Sequence, residues 1–234
     1  MEFTLRKILV PASATLVSVL LGGCSTGSTS DPSPSPSSPH GVAADRLCAG
    51  LLGSGGGSAL EQVTQSQRFV EAQGAKGLAA AASALRQEAD FTRRGSQVNL
   101  CLSKTSGSNT NGSLEIYAQW LKTRANDYNW TSNQDSTVFD IVGDGKKDSG
   151  APYAYAAPAF AGILFHCPQG PGSAKGTVLT MNISSYHLND AQNSRAPELM
   201  TRIAYDAAVK LATQMGCLKQ SKLPEHLGTL KKFA

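Results

Sequence analysis

Five cysteines are the residues of this chain whose chemistry is easiest to specify, and the first of them, Cys24, stands apart. Arg6 and Lys7 precede an apolar run that ends in Leu21-Gly22-Gly23-Cys24. A charged start, a short apolar stretch and small residues before a cut make an export signal. A Cys directly after the small pair has the form of a lipobox, whose thiol would receive a diacylglycerol. On this reading residues 1–23 are a signal peptide and the mature chain begins at Cys24. A membrane-spanning helix is the competing reading, but the stretch from Ile8 to Leu21 contains Pro11 and falls short of the ~20 apolar residues a span needs. The expected location is therefore the extracytoplasmic face of the cell membrane, with the membrane itself held through the lipid.

The other four cysteines, Cys48, Cys101, Cys167 and Cys217, would then lie outside the reducing cytosol, where two disulfides are the natural outcome. Four cysteines allow three pairings. Chain order and the predicted elements favour Cys48–Cys101 and Cys167–Cys217, each tying a helix to a strand. Each would close a loop of about fifty residues, which contributes roughly 4 kcal/mol in the chain-entropy model. No two of the four show CxxC spacing, so no metal site is expected, and nothing implies a cofactor.

Charge narrows the range of partners. The chain carries +4, and removing residues 1–23 leaves 19 basic and 16 acidic groups. Residues 24–216 balance at 15 of each sign, so the excess sits in Lys219, Lys222, Lys231 and Lys232 against Glu225. A neutral body excludes nucleic acid, which requires Lys and Arg clustered on the folded surface. The basic tail reads as a solvated terminus that could also lie on anionic headgroups, at ~1 kcal/mol or less per Lys.

Between anchor and domain runs a Ser/Pro-rich linker, 24–43, containing Asp31-Pro32-Ser33-Pro34-Ser35-Pro36. It has too little apolar surface to offset chain entropy, and repeated Pro favours an extended form that reaches up to ~60 Å. Residues 44–234 fit a single extracytoplasmic domain with a short basic tail, ample for a sizeable core.

Within that domain Leu47, Cys48, Leu51 and Leu52 group on one side of a predicted helix, Ala44 to Leu52. Ser58 with Glu61 three residues later forms a capping-box pattern for a second helix burying Leu60 and Val63. A third, alanine-rich helix is expected over Ala75 to Ala89. After Gly95 the period becomes two, with Val98, Leu100 and Leu102 alternating with polar neighbours. Leu114 to Leu121 reads as the returning strand, with Leu114, Ile116, Ala118 and Trp120 on one face; a helix through Leu114, Tyr117 and Leu121 is the alternative. Further strands are expected at Thr137–Val142, Phe160–Cys167 and Thr177–Ser184, separated by loops at Gly143–Pro158 and Pro168–Gly176. The clearest element is Pro197 to Met215, whose stripe of Met200, Ile203, Ala204, Ala207, Ala208, Leu211 and Met215 opposes Arg202, Asp206, Lys210 and Thr213. Asp206 and Lys210 are four apart and read as an exposed pair. Helices, then mostly antiparallel strands, then a long helix define an α+β fold, with a mostly antiparallel sheet covered on one face by the N-terminal helices and the long C-terminal one.

Phe165-His166-Cys167 closing a strand, Ala207-Ala208 through Gly216-Cys217, Leu223-Pro224-Glu225 and Leu47-Cys48-Ala49-Gly50-Leu51-Leu52 together resemble an uncharacterised family of actinobacterial secreted lipoproteins. The resemblance covers roughly residues 45–227 and rests on cysteine positions and core residues. It implies lipidation and disulfides, and no activity.

Sharper motifs dissolve on inspection. Gly53–Ser58 ahead of a helix could cradle phosphate, but it lacks GxxxxGK[ST] and follows a helix, so a flexible interhelical connection is expected. Asp140, Asp144 and Asp148 flank a Gly turn, yet EF-hand spacing is absent and Lys146 and Lys147 oppose a divalent ion, so a solvated turn is expected. A triad of His166 or His187 with Ser184 or Ser185 and Asp190 has no GxSxG elbow behind it. The best candidate binding surface is aromatic: Tyr117, Trp120, Tyr128, Trp130, Tyr153 and Tyr155 gather in the middle third beside Asn, Ser and Pro. The expectation is thus a non-enzymatic, lipid-tethered binding module for a protein or small-molecule ligand, with a small cell-envelope hydrolase of dispersed catalytic residues as the alternative.

Overall fold

The computed structural model describes residues 41–88, 97–106, 112–121, 136–142, 151–168, 178–186 and 194–233. The tip of the Asp140–Asp148 turn, and Tyr128, Trp130, His187 and Asp190, lie outside them.

Among the described residues, eight strands form one sheet. They are β1 (Phe69–Glu71), β2 (Val98–Thr105), β3 (Ser113–Leu121), β4 (Thr137–Asp140), β5 (Tyr153–Ala157), β6 (Phe160–His166), β7 (Val178–Tyr186) and β8 (Lys231–Lys232), in the order β1-β2-β3-β7-β6-β5-β4-β8. Every neighbouring pair is antiparallel. The strands at Val98 and Leu114 pair as the alternation requires, and the helical alternative for residues 114–121 falls. Burial alternates along β3, with Leu114, Ile116, Ala118 and Trp120 inward. A bulge between Asn99 and Cys101 turns Leu100 and Cys101 both into the core.

Helices cover the inner face. A 3-10 turn at Ala44–Arg46 runs into the one-turn element α1 (Leu47–Gly50), followed by α2 (Gly53–Thr64), α3 (Gly77–Gln87), α4 (Ala196–Met215) and the short α5 (Leu218–Ser221). The long helix α4 packs across β5, β6 and β7, while α2 and α3 pack beside it. Its apolar stripe is buried as its 3.6-residue period demands, with Ile203, Ala204, Ala207, Ala208 and Leu211 all fully inaccessible. Gly216 ends it at φ 75°, where the amides of Gly216 and Cys217 reach back to Thr213 and Ala212. The two bridges are Cys48–Cys101 and Cys167–Cys217, with Cα separations of 5.6 and 5.4 Å. The first joins α1 to β2, and the second joins the residue after β6 to the second residue after α4.

Three local expectations are corrected. Ala44–Leu52 is no regular helix: Cys48 and Ala49 adopt left-handed backbone angles (φ 51° and 58°), and Gly50 follows at 74°. Ser58 caps nothing, because α2 starts five residues earlier and Gln62 donates to the Ser58 hydroxyl from within the helix. Gly53–Ser58 is therefore helix rather than flexible connection. Its glycines are there for close approach. A Cβ on Gly57 would stand 2.8 Å from the Asp45 amide nitrogen, and one on Gly56 would stand 3.2 Å from the Asp206 side chain. The weak helix propensity of glycine is offset by packing that larger residues would forbid.

Three strands, β1, β5 and β8, arise where the sequence suggested none, β8 in the segment read as a solvated tail. β5 lies in the segment read as loop, since Ala154 and Ala156 face the core and alanine has weak strand propensity. β1 has three residues, too few to show a period.

Candidate functional site

Of the aromatic residues singled out in the sequence, the outer face of the sheet carries Tyr117, Tyr153 and Tyr155. Trp120 is not among its members: the ring is fully buried on the inner face, and Nε1–H donates to the Leu85 carbonyl at 2.9 Å. It is a core residue, because an inward parity on a central strand leaves no route to solvent. Tyr153 is buried with Leu121, Leu164 and Val178 in a small second cluster on the outer face. Tyr117 and Tyr155 are half-buried there, in one cross-strand row that runs Tyr117, Asn182, Gly162, Tyr155. The Tyr155 ring lies over Gly162, where any Cβ would come within 2.3 Å of it. Its hydroxyl donates to Asn182 Oδ1 at 2.6 Å, and Asn182 Nδ2 donates to Thr180 Oγ1 at 2.7 Å. This row is a tied polar seam rather than an open aromatic groove.

The triad imagined around His166 cannot form with Ser184. His166 lies opposite Val178 and Phe160 lies opposite Ser184, so the two side chains sit six residues apart along the strand pair. That is roughly 20 Å. Ser185 is buried on the opposite parity.

A different group of polar residues does converge. A cleft of about 300 Å³ opens where the start of α2, the outward side of α4 and the C-terminal segment meet, lined by Ser54, Arg202, Tyr205, Asp206, Glu225 and His226 among others. Asp206 is its pivot. Its Oδ2 accepts the Gly56 amide of α2 at 2.6 Å, across 150 residues of sequence. The residue preceding α2, Leu52, supplies no side-chain cap, so the positive end of that helix is served by a carboxylate from α4. The anion suited to the glycine-rich start of α2 is thus the chain's own. Lys210, one turn along, donates from Nζ to the Gly50 carbonyl. The column Arg202, Asp206, Lys210 read as a solvated face is half-buried and turned toward α2. Tyr205, 2% exposed, donates its hydroxyl to the Pro224 carbonyl and pins the C-terminal segment against the helix.

Burial raises the Asp206 carboxyl above its ordinary 3.8, outweighing the lowering effects of the Gly56 amide, Lys210 and Arg202. The Tyr205 phenol is pushed up to about 12, first by burial and then by the Asp206 charge. The folded Asp206 carboxyl binds its proton more tightly than the unfolded one. Wild-type stability relative to Asp206→Asn is therefore greatest at acid pH. It should decline as pH rises from the ordinary value through the raised one, and be level above that. Denaturation of both proteins between about pH 3 and about pH 7 measures this. Parallel pH profiles, or a difference that grows with pH, would contradict the assignment.

Sequence reasoning missed this cleft because its parts are scattered. Ser54 sits in a supposed linker, Arg202 and Asp206 on a supposed solvent face, and Glu225 and His226 in a supposed loose tail. The one available signal was the i, i+4, i+8 spacing of Arg202, Asp206 and Lys210, which places the three on one side of a helix. Comparison with known proteins leaves the cleft to be read on its own chemistry: no family model, no curated protein and no solved structure matches the chain.

Proposed function

We propose that the chain is a lipid-anchored extracytoplasmic lipoprotein, akin to the actinobacterial secreted lipoproteins it resembles, and that it is a binding module rather than an enzyme. The observation that carries the reading is the pair of bridges Cys48–Cys101 and Cys167–Cys217. Every cysteine after Cys24 is used in them, which fits an oxidising compartment and leaves Cys24 as the one thiol for acylation. The ligand is proposed to be small and polar. The cleft offers carboxylates from Asp206 and Glu225 beside the Arg202 guanidinium and the Ser54 hydroxyl, so acceptors and donors stand together. Its Asp206 and Tyr205, and Lys210 one turn along α4, are already engaged on backbone groups, which suits a rigid recognition surface better than acid–base chemistry.

Cys24→Ser should release the protein from the membrane fraction and abolish its acyl mass. Wild-type protein found unacylated and wholly soluble after export would overturn the anchor. Material co-purifying with the intact membrane-extracted protein, compared by mass spectrometry with the Arg202→Ala variant, tests the cleft. A bound species lost in that variant supports it, and one retained unchanged places the ligand elsewhere.

A further inference from the structure

The two disulfides sit in unlike surroundings. Cys167 and Cys217 are both fully inaccessible, and Cys217 is held by its amide on the Ala212 carbonyl at 2.9 Å, just past the left-handed Gly216 that ends α4. Gly216 accepts that conformation without steric cost. Cys101 is equally buried, but its partner Cys48 retains 9% of its surface.

The backbone at Cys48 is the unusual part. Cys48 (φ 51°, ψ 51°) and Ala49 (φ 58°, ψ 37°) are consecutive left-handed residues that each carry a Cβ. Such residues occur singly, and each is strained by the approach of its Cβ to the following carbonyl. Two in succession persist only where the surroundings impose them. What imposes them is visible. The Cys48 amide donates to Glu71 Oε1 at 2.5 Å, the Gly50 carbonyl accepts from Lys210 Nζ, and the Cys48 side chain is covalently tied to β2. Cutting the covalent tie would let the turn relax, and relief of strain favours the reduced form.

We propose that Cys48–Cys101 is a thiol–disulfide exchange site, a reducible latch on the turn at residues 47–50, whereas Cys167–Cys217 is a permanent staple. The co-reactant is a dithiol reductant, small or protein-borne. Its thiolate attacks Sγ of Cys48, the residue of the pair that retains surface, and the electron pair of the S–S bond leaves on Cys101, which takes up a proton. The reductant's second thiolate then attacks the mixed disulfide, releasing Cys48 as a thiol and the reductant as its own disulfide. Two electrons pass from reductant to protein, and the turn loses its tether. Lys210 then holds a carbonyl on a freed segment, so the loosening passes to the α2 side of the cleft. The proposal stands whether or not Cys24 is acylated.

The test uses the full-length protein in a graded series of dithiothreitol, quenched by alkylation, with all four cysteines read by mass spectrometry. Cys48 and Cys101 should be alkylated together at a reductant level about tenfold or more below that for Cys167 and Cys217. Ala49→Gly relieves one strained residue and should shift the first equilibrium roughly fivefold toward the disulfide, leaving the second bridge unchanged. Ala79→Gly, on the exposed side of α3, should shift neither bridge selectively. Hydrogen exchange of the selectively reduced protein should rise at residues 47–57 while β6 and β7 stay protected. The proposal is overturned if both bridges open together, if Cys167–Cys217 opens first, if Ala49→Gly leaves the first bridge as reducible as wild type, or if exchange at 47–57 does not change.

Discussion

Trp120→Ala should lower the unfolding free energy by about 3–5 kcal/mol, among the largest losses available to a single substitution here. The indole is fully buried on β3, the third strand of eight, and its Nε1–H bonds to the last turn of α3 through the Leu85 carbonyl. Truncation therefore removes a large apolar volume and also a tie between sheet and helix. Trp120→Phe separates the two effects. It keeps most of the volume and removes the donor, so it should cost about 1–3 kcal/mol. Chemical denaturation followed by far-ultraviolet circular dichroism measures both. An Ala variant with the wild-type midpoint would return Trp120 to the surface and restore the aromatic patch as a recognition site.

Leu211→Ala should cost about 2–5 kcal/mol, since the side chain is fully buried on α4 amid the strands it crosses and a cavity would remain. Lys210→Ala should cost about 1 kcal/mol. An exposed pair with Asp206 would contribute only ~0.3–0.5 kcal/mol, but Lys210 Nζ bonds to the Gly50 carbonyl and the residue is half-buried. The two variants test the rotational setting of α4. Equal denaturation midpoints would mean that the stripe is not against the sheet, and a Lys210→Ala cost near zero would mean that the tie to the α1 turn is not made in solution.

The elements legible in the sequence are those whose pattern repeats. α4 spans five turns with one apolar stripe, and β3 alternates over its whole length, so each announces its period several times over. The pairing of cysteines was legible for a related reason: each bridge joins elements about fifty residues apart, and crossing them would tie distant parts of the chain. Short elements carried no such redundancy. Three-residue β1 shows no period, and β5 is built of Tyr and Ala, whose inward members are small because α4 crosses close above them.

Composition, spacing and periodicity by themselves determined the α+β class, the inward faces of the long elements and the even use of four cysteines. Each follows from interactions between residues near in sequence or from a pattern repeated along one element. Only the tertiary structure decided what the polar and small residues do. The Gly55–Gly57 run looks like a hinge until α4 and the Ala44–Arg46 turn are placed against it. Asp206 looks solvated until the Gly56 amide, 150 positions away, comes within 2.6 Å. Cys48 looks helical until the tie to β2 and the Glu71 carboxylate turn its backbone left-handed. The physical reason is common to the three. A polar group or a glycine takes its role from the one partner that satisfies or crowds it, and that partner is set by how the chain closes on itself rather than by any neighbour in sequence.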